Sequence, residues 1–257
     1  MNFDLLKERL DQLVHTYETD GRIGMVVESG KERYVYNEEV VFPSASLIKL
    51  PILIEGFNRS SNGRLSLAKL IKLDNIPKVG GSGVIQSLSN YATLTIEDLL
   101  TFMIVVSDNT ATNFLIDVIG MDAINERCKL LGMKSTVLKR KMMDEEAKRK
   151  NLENVTSPLD VITCLKAINE SRSREMKGIL ERQQFTEKLP YYLTKAEEMS
   201  VANKTGELDK VEHDCAIIEY KGQCVYVAVL IDHLKDNAKG KEAIQLAGAY
   251  ILESLQS

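Results

Sequence analysis

Ser46 and Lys49 stand three residues apart inside the apolar run "FPSASLIKLPIL", Phe42 to Leu53. If that run is helical, one turn separates them, and the hydroxyl and the amine share a face. A serine is a weak nucleophile until an adjacent base takes its proton, and a lysine amine can be that base when burial holds it neutral. The pair also reads as a helix-opening serine beside a lysine that snorkels from a half-buried face. Roughly one S-x-x-K match is expected by chance in a chain of this length. Two rarer motifs lie downstream, Ser107-Asp108-Asn109 and Lys204-Thr205-Gly206. Each is expected at roughly a few hundredths of a match per chain of this size, so their company raises Ser46 and Lys49 above coincidence.

The elements that must position these motifs follow from periodicity. Phe3, Leu6, Leu10, Leu13, Val14 and Tyr17 form one helical stripe, and "RIGMVVES" and "ERYVYN" flank the Ser29-Gly30 turn as a hairpin. From Ser46 to about Asn58 the pattern is helical, with a distortion expected where Pro51 crowds the carbonyl of Leu47. The middle of the chain is mostly helical. Thr95 and Asp98 cap one helix, Gly120 and Gly132 stop two others, and Ser157-Pro158 opens "LDVITCLKAINE". Strand character returns in "MSVANKTG", "EHDCAIIEY" and "QCVYVAVLID" before a last helix expected over about Lys241 to Leu255. Two strands, a helical insertion of about 140 residues and three more strands predict an α+β fold. One five-stranded antiparallel sheet is flanked by helices, with residues 1–58 and 196–257 in the sheet lobe and 59–195 in an inserted all-helical lobe. Ser107 falls at a helix break in that lobe and Lys204 on the first returning strand, so both reach a cleft between lobe and sheet.

Those three motifs in this order, with "SDNTATN" and "NKTG" around them, resemble the class A β-lactamase-like serine hydrolases of the β-lactamase and penicillin-binding protein superfamily. The resemblance implies the β-lactamase/DD-peptidase-like fold and acylation of Ser46 with Lys49 as base. It also implies that Ser107 relays a proton to the leaving nitrogen. Asn109 would hold Lys49 and the substrate amide, while Asp108 turns inward to brace its loop. Lys204 and Thr205 would bind a substrate carboxylate, and Gly206 would let substrate approach the strand. The oxyanion hole would use the backbone amides of Ser46 and Glu207.

Two departures stand out. Class A β-lactamases carry an E-x-x-L-N segment whose glutamate activates the deacylating water. In "LKRKMMDEEAKRKNLENVTSP" that position, aligned from Arg140, holds Met142, and a thioether is no base for water. Asp144, Glu145 or Glu146 could stand in if the loop is threaded differently; otherwise they are a solvated acidic run. His213 falls where the family often has substrate-binding residues and reads first as a structural residue. The second departure is the start of the chain: Met1 leads directly into the first helix with no apolar core of the secretory kind, which predicts a cytoplasmic protein, or a secreted one if a leader has been cut away.

The remaining composition narrows the function class. The net charge of -4 with scattered cations argues against a nucleic-acid partner, and no run approaches a membrane span. Four cysteines without C-x-x-C spacing and three histidines argue against a metal site, and no cofactor is implied. The partner expected is a small-molecule substrate: a β-lactam, peptide or ester. The oligomeric state stays open. The expected function is a β-lactamase-type serine hydrolase, acylated at Ser46 and slow to deacylate. The alternatives are a D-amino-acid peptidase or esterase of the penicillin-recognising group, and a penicillin-binding sensor without turnover.

Overall fold

Alternation of β-branched residues in "QCVYVAVLID" places Val225, Val227, Val229 and Ile231 in one apolar core and Ala228 and Leu230 in another, so this strand is buried on both faces and lies at the centre of a sheet. The computed structural model describes residues 1–171 and 174–257. In chain order it contains α1 (Phe3–Tyr17), β1 (Arg22–Ser29), β2 (Glu32–Tyr36), β3 (Phe42–Pro43), α2 (Lys49–Ser61), β4 (Leu70–Lys72) and β5 (Thr93–Thr95). Then follow α3 (Ile96–Val105), α4 (Asn109–Ile119), α5 (Met121–Leu130), α6 (Glu145–Arg149), β6 (Val155–Thr156), α7 (Pro158–Asn169), α8 (Glu175–Glu181) and α9 (Pro190–Leu193). The chain closes with β7 (Met199–Leu208), β8 (Val211–Tyr220), β9 (Gln223–Asp232) and α10 (Asn237–Gln256). The main sheet is antiparallel with order β2-β1-β9-β8-β7, which leaves β7 and its Lys204-Thr205-Gly206 at an edge.

One face of the sheet packs under α1 and α10, with Leu189 and Leu193 joining that core; the other packs against α2 and the middle helices. α2 is tied to α5 by the buried Glu55, which accepts from Arg59 (3.1 Å) and Arg127 (2.9 Å). The sequence signals at the helix ends hold: Thr95 and Asp98 form a capping box, and Ser157 caps α7 with Pro158 in its first turn.

Two expectations need correction. Ser46 does not begin the α-helix. Ala45–Ile48 is a 3₁₀ turn, and α2 begins at Lys49, so Pro51 sits in the first turn, where its missing N–H has no intrahelical partner to lose. The last helix begins at Asn237, four residues before the expected start, because Asp236 caps it by accepting from Ala238 N. Gly240 sits where an added Cβ would meet Leu234 at 2.5 Å and Glu212 at 3.0 Å, and so lets α10 lie close on β8. The pairing of β3 with β6 carried no sequence signal; it joins the segment before Ser46 to the loop before α7.

Candidate active site

Ser46 is held by clamps on both sides. The backbone N–H of Ser44 donates to Asn154 O (2.7 Å). His213 sets both ring nitrogens on backbone atoms: Nε2 lies 2.7 Å from Pro43 O, and Nδ1 lies 2.8 Å from Glu212 O and 3.1 Å from Ile231 N. Burial lowers the His213 pKa to about 4, which keeps the ring neutral. His213 is therefore a strut between β8 and the segment that leads to Ser46. Gly206 faces the same turn; a Cβ there would lie 3.1 Å from Ala45 Cβ. Ala45 itself is left-handed at φ 44°, and Ser107, between α3 and α4, is left-handed at φ 53°. Each costs on the order of 1–3 kcal/mol in a residue other than glycine, and such outliers cluster at functional sites.

The three motifs meet. Ser107 Oγ donates to Ser46 Oγ (2.9 Å) and accepts from Lys49 Nζ (2.9 Å) and Lys204 Nζ (3.2 Å). Lys49 Nζ also donates to Ser107 O (2.6 Å) and Asn109 Oδ1 (3.0 Å). Serine and lysine were expected to meet directly across one helical turn. Instead Ser107 bridges them, because Ser46 lies in the 3₁₀ turn and the three donors of Lys49 are taken by Ser107 and Asn109. Asp108 braces rather than reaches outward: it accepts from Val84 N, Ile85 N and Ala111 N.

Burial, then the neighbouring charge of Lys204, pushes the Lys49 amine well below the ordinary lysine range. Burial likewise lowers Lys204 to about 7, against the opposing pull of Cys215 and Asp214. Both lysines are fully buried and share Ser107 Oγ, so they compete for one positive charge. The unfolded chain, with lysine near its usual value, binds more protons than the folded one above pH 7. Stability is thus expected to rise between about pH 7 and pH 9, and Lys204→Met should flatten that slope in a series of thermal melts; an equal slope in the variant would refute the assignment.

Two cavities open on Ser46 and share Ser82, Glu207 and Leu208. The larger, about 580 Å³, extends past Ser107 and Thr205 to Glu187 and Asp209. The smaller, about 230 Å³, extends past Asn109 to Met142 and Glu145. Of the acidic run, Glu145 alone lines this space. Asp144 caps α6 by accepting from Ala147 N, and Glu146 pairs with Lys150 at 2.6 Å. Met142 is fixed through its backbone: its N–H donates to Asn113 Oδ1 (2.7 Å), and its carbonyl accepts from Asn113 Nδ2 (3.0 Å). The Gly80–Gly83 loop was missed from sequence. Its Ser82 borders both cavities, and Gly81 and Gly83 are left-handed, with an added Cβ at Gly83 only 2.3 Å from Asp108 Oδ2. The G-G-S-G run was the available signal. Among the described residues, no group of three or more His, Cys, Asp or Glu side chains could hold a metal, and the cysteines are free.

Comparison with known proteins agrees with this fold. A β-lactamase from Sphaerobacter thermophilus superposes with a TM-score of 0.87 at 31% identity, covering 97% of each chain. PBP-A superposes with a TM-score of 0.86 at 24% identity, covering 98% of this chain and 96% of that one, a likeness of fold. The β-lactamase VEB-1 of Pseudomonas aeruginosa is 30% identical over 106 residues, which is 39% of this chain but only 35% of that enzyme's length. The β-lactamase enzyme family matches residues 5–255, from the first turn of α1 to the last turn of α10, and to that family this chain belongs.

Proposed function

We propose that this protein is a serine hydrolase that is acylated at Ser46 by β-lactams or related amides and esters and loses the acyl group slowly. The observation that carries the reading is the hydrogen-bonded line from Ser46 through Ser107 to the buried Lys49. With Lys49 neutral, the line reverses: the Ser46 proton passes to Ser107 Oγ as the Ser107 proton passes to Lys49 Nζ, and Ser46 Oγ attacks the carbonyl carbon. The oxyanion is received by the backbone amides of Ser46 and Glu207. Ser107 then protonates the leaving nitrogen or oxygen and is resupplied by Lys49. Lys204 and Thr205 hold a carboxylate on the substrate, and Asn109 orients its amide. Met142 borders the space where a hydrolytic water must sit and supplies no base, which supports slow release. Rapid turnover without an adduct would instead mean that deacylation has its own base, and the presence of Glu145 in the lining of the same cavity supports it as the candidate.

The test is the intact mass of the protein after minutes in excess penicillin, beside turnover of a chromogenic cephalosporin. A persistent adduct of one equivalent is expected; an unmodified mass with no turnover would sink the reading.

The wall near Thr205 carries Glu187, Glu207 and Asp209, whose field opposes an incoming carboxylate. E187Q/D209N is therefore expected to speed acylation by penicillin about 3- to 10-fold at low salt, and by less at 1 M salt. The stopped-flow acylation rate reads this, and an unchanged rate would show that these acids do not act on the substrate.

A further inference from the structure

Lys188 is a fully buried lysine that the reaction above does not use. It lies two residues before α9 and sits against the β7–β8 ladder. Its Nζ donates to Gly206 O (3.1 Å) and to His213 O (3.3 Å) and pairs with the buried Glu212 carboxylate at 2.5 Å. Gly206 and His213 face each other across that ladder, and β7 is the edge strand. In a trans peptide the C=O and the N–H point in opposite directions. With the Gly206 carbonyl turned inward to Lys188, the N–H of the same peptide, which is that of Glu207, is turned off the sheet edge, where Glu207 and Ser46 border one cavity. A cation on the carbonyl oxygen draws electron density through the conjugated amide and makes its N–H a stronger donor.

We propose that Lys188 is a positioning residue that polarises the Gly206–Glu207 peptide and so strengthens the Glu207 amide as a donor to the oxyanion. The proposal rests on the reading of Ser46 as nucleophile given above. The charges around Lys188 fit a directed role. Glu212 is also held by Asn237 Nδ2 (2.9 Å) and lies 3.9 Å from Lys241, while the exposed Glu207 carboxylate is 3.8 Å from Lys188 and 3.2 Å from Lys241. The ammonium is thus anchored on one side by a carboxylate and applied on the other to two backbone carbonyls. A lysine serving only as half of an ion pair needs the first of these contacts and not the second.

The test uses K188M/E212M, which removes both buried charges together so that neither is stranded, and K188R, which keeps a cation. In K188M/E212M the acylation rate constant with penicillin is expected to fall about tenfold, while the dissociation constant of the complex before acylation stays the same. The infrared ester carbonyl stretch of acylated Ser46 should move to higher wavenumber, and K188R should recover part of both changes. A folded K188M/E212M protein with unchanged acylation and carbonyl stretch would overturn the proposal, whatever its melting temperature. If that variant does not fold, K188Q/E212Q, which keeps hydrogen-bond donors without charge, carries the same two outcomes. Absence of an adduct in the unsubstituted protein would instead remove the reading of Ser46 and this proposal with it.

Discussion

Ser46→Ala is expected to abolish covalent labelling by penicillin, a loss of at least about 10⁴-fold in acylation, since the substitution removes the atom that forms the bond. Ser46 is half-buried and its hydroxyl is met by Ser107, so the change deletes one oxygen and little packing. The melting temperature should stay within the range of an ordinary surface substitution. Intact-mass spectrometry reads the adduct, and a thermal melt confirms the fold. Labelling that persists in a folded Ser46→Ala protein would move the nucleophile elsewhere, and Ser107, 2.9 Å away, is the residue to replace next.

Met142→Glu is expected to shorten the life of the acyl-enzyme by about 10² to 10⁴-fold, the span that a general base contributes. The backbone at Met142 is already gripped at both its N–H and its carbonyl by Asn113, so the new carboxylate would enter the cavity from a fixed point and face the space that Ser46 and Asn109 border. The acylation rate should change little, because Ser46, Ser107 and Lys49 are untouched. The decay of the adduct mass after excess penicillin is removed reads the effect; equal decay in the two proteins would show that water is activated from another position. Glu145→Ala then decides whether the native loop holds its own base, with Asp144→Ala and Glu146→Ala as comparisons, since those two are engaged by the α6 amide and by Lys150.

Much of the site was legible because its parts are local. Ser107-Asp108-Asn109 had to sit at a helix junction, since Asp108 is an N-cap, and Lys204-Thr205-Gly206 had to sit on a strand, since β-branched runs follow it. The sheet followed from a hairpin and three β-rich runs. The unread parts are those that depend on partners far away in the chain. The bridge through Ser107 requires knowing that Ser46 lies in a 3₁₀ turn, and a serine gives no local sign of that. Lys188 reads as one more charged residue in "TEKLP" until the fold carries it beneath Gly206, and His213, which reads first as a structural residue, gives no sign of the backbone atoms it braces until its two ring nitrogens are seen on them. The two-residue β3 and β6 strands were below any periodicity, although they set the distance between Ser46 and the loop of Met142.

The two left-handed residues, Ala45 and Ser107, place the hydroxyls of Ser46 and Ser107 on kinks that glycine would adopt more cheaply. On the proposed mechanism, heat resistance and catalytic competence are therefore set in opposition at these points. A laboratory evolution that selects only for survival of the fold should enrich glycine at 45 and 107, where it relieves torsion, and each such gain would loosen the mounting of one reacting oxygen. A lineage kept under selection for chemistry must hold the strained residues and find its robustness elsewhere, in the α1–α10 layer behind the sheet, where packing can improve without moving either kink.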